Sequence, residues 1–153
     1  MDPLSTLIER QAIIDLIHEY SRLVDESRPD GVAALFTPDC VFRSTSGKNG
    51  TARGRDAVRD RMHLLLSTFS ATSHHVSNIQ ITFASPDRAQ GLVYLFAWHD
   101  FTKERPVGYL WGRYSDVYER TAEGWRIAER SMHVTGHKDF PFGWLPPFVT
   151  DAP

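Results

Sequence analysis

The 153-residue sequence has a single cysteine, Cys40. A disulfide within the chain is therefore impossible, a cysteine-based metal site is not expected, and the composition suits a reducing cytoplasm. An excess of charge is missing too: 17 Lys and Arg against 19 Asp and Glu leave a net charge of -2. Nucleic acid and anionic membranes demand a basic face, so neither is expected as a partner. No apolar run approaches the roughly 20 residues that cross a bilayer. MDPLSTLIER has no basic stretch leading into an apolar one, so no leader is expected either. Internal repeats and low-complexity tracts are absent. What is present is 41% hydrophobic residues, enough at this length for the core of one domain, expected over residues 1–153. The expected partner is a small, mostly uncharged molecule.

Leu4, Leu7, Ile8, Ile14, Ile17 and Val24 recur at intervals of mostly three and four, which predicts an amphipathic helix from Ser5 to Asp25. Pro29 and Asp30 open a short helix reaching Phe36, since proline suits a first helical turn; Thr37, Pro38 and Asp39 end it. Cys40 to Ser44 reads as a strand, Ser46 to Gly54 as a loop, and Asp56 starts a third helix with Val58, Met62, Leu65 and Phe69 on one face. From His74 the period becomes two. Ile79, Ile81 and Phe83 alternate with polar residues, Ser85-Pro86-Asp87-Arg88 turns the chain, and Ala89 to His99 returns. Tyr109 to Arg120 and Gly124 to Val134 form a second hairpin. Helices first and long hairpins after predict an α+β domain, with helices packed on a strongly curved, mainly antiparallel sheet.

Several strings in this order resemble the SnoaL-like branch of the nuclear transport factor 2-like superfamily: A-I-I-D-L-I-H-E-Y (Ala12 to Tyr20), L-F-T-P-D (Leu35 to Asp39), T-S-H-H-V-S-N (Thr72 to Asn78), G-R-Y-S-D-V-Y-E-R (Gly112 to Arg120) and G-W-R-I-A-E-R (Gly124 to Arg130). The resemblance covers nearly the whole chain. It implies a cone-shaped α+β barrel enclosing one deep apolar pocket. Within the superfamily the motifs are similar to those of scytalone dehydratase and the hexachlorocyclohexane dehydrochlorinases, which implies a homo-oligomer, trimeric or dimeric, and a His–Asp dyad that works without a cofactor. Mapped residue by residue, the resemblance places the aspartate at Asp25 and the histidine at His74, framed by Thr72 and Asn78. Arg130 matches an assisting arginine. Tyr20 stands where the dehydrochlorinases have a lysine, which is closer to the dehydratase pattern, and His99 is a candidate for that pattern's second histidine.

The chemistry fits these residue types. A neutral histidine accepts a proton near neutral pH, and a carboxylate on one ring nitrogen fixes the tautomer and stabilises the imidazolium that forms. Tyr20, His99 and Arg130 would then stabilise developing negative charge. Phe42, Phe69, Tyr94, Phe96, Trp98 and Trp111 are available to wall the pocket, although alternation lets only about half face inward. Alternation also sends His74 and His75 to opposite faces. His74, His99 and Asp25 match no known metal-ligand spacing, so no metal is expected. Arg130 keeps a second reading, a cross-strand pair with Asp116 or a neighbouring glutamate. The aromatic, proline-rich tail from Gly136 to Pro153, with Phe140, Phe142 and Trp144, reads as a lid or a subunit contact. The expected activity is that of a lyase or isomerase of the dehydratase type. A non-catalytic binding module and a structural subunit, like the small subunit of ring-hydroxylating dioxygenases, are the alternatives.

Overall fold

The computed structural model describes residues 2–44 and 50–140. In chain order these form α1 (Pro3–Asp25), α2 (Pro29–Ala34), β1 (Phe36–Arg43), β2 (Thr51–Arg53), α3 (Arg55–Leu66), β3 (Phe69–Ser85), β4 (Arg88–Phe101), β5 (Gly108–Thr121) and β6 (Gly124–Lys138). Helix α1 starts two residues before the expected Ser5. The Asp2 carboxylate accepts a hydrogen bond from the Ser5 amide at 3.0 Å and Pro3 occupies the first turn, a combination that fixes a helix start.

Several boundaries differ from expectation between α2 and β3. Helix α2 stops at Ala34, and Thr37, Pro38 and Asp39, expected to end it, belong to the strand instead. A proline cannot donate to a ladder, but the pairing of β1 with β6 is interrupted between Phe36 and Val41, where Pro38 does no damage. Thr51–Arg53, expected as loop, pairs with β1 as β2. Phe69, expected on the face of α3, opens β3.

The six strands lie in the order β2-β1-β6-β5-β4-β3. The two hairpins of the second half pair antiparallel as their alternation predicts, and β1 joins β6 in parallel. The sheet is curled but not closed, with the helices on its inner face. Ile13, Ile17, Tyr20 and Val24 of α1 and Val58, Met62 and Leu66 of α3 meet the inward residues Phe42, Val93, Leu95, Ala97, Tyr114 and Ile127 in one core. Burying an aliphatic side chain such as Ile13 or Ile17 stabilises the fold by roughly 1.5–3 kcal/mol.

Strand β3 changes phase along its length. Its register against β4 slips between Ser77 and Gln80, so that two residues oppose one. Asn78, with φ of 47°, supplies the left-handed residue of this bulge, a conformation asparagine tolerates better than most residues. On one side of the bulge the odd residue Ile81 is buried; on the other the even residue His74 points inward and His75 is exposed. Counting back by twos from Ile81 would have selected the wrong histidine.

Candidate active site

Asp25 is the last residue of α1, where a carboxylate opposes the partial negative charge of the helix end. It is held there by partners from β3. The ring of His74 lies with Nδ1 2.6 Å from Asp25 Oδ1, the His74 backbone N–H donates to Oδ2 at 2.9 Å, and the Thr72 hydroxyl donates to Oδ1 at 2.8 Å. Burial works against the charge on Asp25, but the ring and backbone of His74 and the Thr72 hydroxyl outweigh it, so the carboxyl is held below its ordinary range. With Nδ1 occupied, Nε2 is the nitrogen His74 can offer to the cavity it lines.

That cavity is partly open to solvent and has a free volume of about 60 Å³. Val24 of α1, Met62, Leu65 and Leu66 of α3, and Phe42, Phe69, Leu110, Met132 and Phe140 make it apolar; Tyr20, Ser44, His74, His99 and Tyr114 are its polar positions. His99 sits beside the His74–Asp25 pair, its ring centroid 5.3 Å from that of His74 and 4.8 Å from each of Phe69 and Phe140. Burial, reinforced by the nearness of His74, depresses its pKa to about 3, so it is neutral at physiological pH. Its Nδ1 is buried without a hydrogen-bond partner among the described residues.

Tyr20 lines the cavity beside Tyr114, the two rings meeting edge to face at 6.0 Å. Burial raises the pKa of both hydroxyls, so both keep their protons. Arg130 does not reach the cavity wall. It is fully buried, bonded through Nε and Nη2 to the two oxygens of Asp116 at 2.9 and 2.7 Å, and its guanidinium lies 4.2 and 4.1 Å from the ring centres of Tyr20 and Tyr114. Of the two readings open for Arg130, the cross-strand pair is the one present, and it places a cation behind the tyrosines.

Of the expected wall residues, Phe42 and Phe69 line the cavity. Tyr94, Trp98 and Trp111 do not, which corrects the expectation. Inward Val93, Leu95, Ala97 and His99 alternate with Tyr94, Phe96 and Trp98 on β4, and inward Leu110 and Gly112 flank Trp111 on β5, so all four aromatics belong to the outer face. Tyr94 and Trp111 are each 38% exposed and Phe96 47%. Phe142 and Trp144, with most of the tail expected as a lid, lie outside the described residues. Ser44, Tyr114 and Met132 were not singled out as cavity residues from sequence; Phe140, expected as part of a lid or subunit contact, lines the cavity. For Tyr114 a signal exists: in Y-S-D-V-Y it shares a strand face with Asp116 and Tyr118, all buried.

Residues 5–131 match the SnoaL-like domain. The chain belongs to that family. Among solved structures, this SnoaL-like chain is similar to a protein provisionally assigned as a scytalone dehydratase from Novosphingobium aromaticivorans, at 32% identity with a TM-score of 0.85 over 97% of both chains. A hexachlorocyclohexane dehydrochlorinase of type 2 shares the fold, with a TM-score of 0.80, 21% identity, and 90% of this chain and 92% of that one covered. An uncharacterised protein of Mycobacterium tuberculosis is 28% identical over 125 residues, 80% of this chain and 82% of its own. Among the described residues, no group of three or more His, Cys, Asp or Glu side chains is placed to hold a metal ion. Among the described residues, no helix is long and apolar enough to cross a membrane.

Proposed function

We propose that this protein is a cofactor-independent lyase or isomerase of the dehydratase type, in which His74, oriented by Asp25, removes a proton from a small, hydrophobic, cyclic substrate. The observation that carries the reading is the 2.6 Å contact between His74 Nδ1 and Asp25 at the wall of an apolar cavity. Asp25 accepts the Nδ1 proton in a hydrogen bond, which leaves the lone pair on Nε2. A substrate C–H next to an activating carbonyl gives its proton to Nε2, and the electron pair moves onto the carbonyl oxygen as an enolate. In a dehydration the enolate then expels a hydroxyl from the neighbouring carbon; that group takes the proton back from Nε2 and leaves as water. In an isomerisation the same proton returns to a different carbon. Neutral His99 and the protonated hydroxyls of Tyr20 and Tyr114 are the donors that would meet the oxygen where charge develops. The 32% identity with a provisional scytalone dehydratase supports this choice of chemistry, and the aromatic outer face of β4 and β5 favours a homo-oligomer.

The test is proton exchange and water loss from cyclic ketones and β-hydroxy ketones in D₂O, followed by NMR. Wild type is expected to catalyse one or both, and His74→Ala and Asp25→Asn are each expected to lower the rate by about 10²–10⁴-fold. Wild-type rates in either variant would remove the dyad. Ligand binding that survives both, with no turnover in any form, would identify a binding module instead.

A further inference from the structure

The cavity holds one polar position that the proton-transfer scheme leaves without a task. Ser44, just beyond the end of β1, is 4% exposed and lines the cavity. Its backbone is fixed by a hydrogen bond from its N–H to the Gly50 carbonyl at 3.0 Å. Its side-chain oxygen is the acceptor of a 2.7 Å hydrogen bond from Nη2 of Arg61, on α3. A guanidinium can only donate. The Ser44 hydroxyl must therefore send its own proton away from Arg61, and among the described residues no acceptor receives it. Beyond that hydroxyl is the cavity.

We propose that Ser44 is a substrate-binding residue whose hydroxyl donates to a carbonyl or enolate oxygen of the substrate, and that Arg61 is the positioning residue that fixes and strengthens that donor. The inference rests on the proposed function for the meaning of the enolate, but the recognition of an oxygen acceptor stands apart from it. Arg61 and Tyr20 are close enough for the cation to favour the phenolate of Tyr20 and for Tyr20 to favour the cation. Ser44 and Tyr20 both line the cavity, so the Arg61 cation acts on two of its hydroxyls. A donor whose oxygen already accepts a charged hydrogen bond is polarised, and chains of such bonds reinforce one another. No proton is transferred along the chain: as His74 takes the substrate proton, negative charge arrives on the substrate oxygen, and the Arg61–Ser44 hydrogen bonds shorten toward it. The substrate class is thereby narrowed to cyclic compounds with an acceptor oxygen on the activating carbon, and pure hydrocarbons and their halides are disfavoured.

The experiment compares binding of 1-tetralone with that of tetralin, which has the same rings without the oxygen, by calorimetry. Wild type is expected to prefer the ketone by about tenfold, in the range of one charge-assisted hydrogen bond. Ser44→Ala should remove most of that preference while leaving tetralin affinity unchanged, which also shows the cavity intact. Arg61→Met should reduce the preference about threefold in the wild-type background and not at all beside Ser44→Ala. Equal affinity of wild type for the two probes, no measurable affinity for the ketone, an undiminished preference in Ser44→Ala, or an Arg61→Met effect independent of Ser44 would each overturn the proposal. His74→Ala is expected to keep the ketone preference, so loss of catalysis and loss of oxygen recognition separate cleanly.

Discussion

Replacing Asp116 with asparagine tests how the floor beneath the cavity is held. Arg130 and Asp116 have no exposed side-chain surface, and Cα pairing across β5 and β6 sets them directly opposite one another. The carboxylate accepts from two guanidinium nitrogens and from the Tyr118 hydroxyl at 2.6 Å. Burial alone would penalise the charge on Arg130, but the attraction of Asp116 outweighs it and keeps the guanidinium protonated. Asparagine preserves shape and one acceptor, yet turns two donors against the donors of Arg130 or Tyr118 and strands a cation in the core. Breaking one side of such a pair costs about 3–5 kcal/mol. With a urea dependence of about 2 kcal/mol per molar, the unfolding midpoint should fall by about 2 M. The double replacement Asp116→Leu with Arg130→Met removes both charges and should cost less than Asp116→Asn alone, because no ion is left unpaired. Urea unfolding followed by tryptophan fluorescence measures both. A midpoint shift below about 0.5 M for Asp116→Asn, or a double variant as unstable as the sum of its singles, would refute the view that the pair is held by mutual charge compensation.

Two further outcomes concern His99 and the bulge of β3. His99 has its pKa depressed from 6.5 to about 3. The unfolded chain therefore takes up a proton below the ordinary histidine value that the folded chain refuses, and stability present at neutral pH is lost as pH falls through that window, by up to about 1.4 kcal/mol per unit. Urea unfolding at several pH values should show a shallower acid-side loss in His99→Phe, and identical slopes would contradict the buried neutral ring. At Asn78, glycine should be tolerated because φ of 47° is open to it, whereas valine should lower stability by about 1–2 kcal/mol; a valine variant that melts with the wild type would show that the bulge does not need a left-handed residue.

The curved sheet and the hairpins were readable from sequence because alternation survives along most of each strand. The pairing of Asp25 with His74 came from the family frame, and the structure gives its physical basis in the Thr72 and backbone hydrogen bonds that fix the carboxylate. Less was visible where faces depend on register. Tyr94, Trp98 and Trp111 look like pocket aromatics until β4 and β5 are aligned, since residue type alone does not say which side of a sheet a ring takes. Pro38 and Asp39 look like a stop because local turn preference says so, and only the interrupted pairing with β6 makes room for them in a strand. Ser44 meets Arg61 across a sequence separation of 17 residues, through a contact that no local pattern announces.

The bulge at Asn78 also bears on how this chain tolerates length change. It lets the stretch of β3 that carries the site keep its own phase, separate from the stretch that fills the core. If one residue were inserted between His75 and Asn78, the core half would stay in register while the site half moved up by one. His75 would then occupy the place of His74, opposite Ala97 and within reach of Asp25. A single insertion there would thus still leave an imidazole, that of His75, facing the same carboxylate.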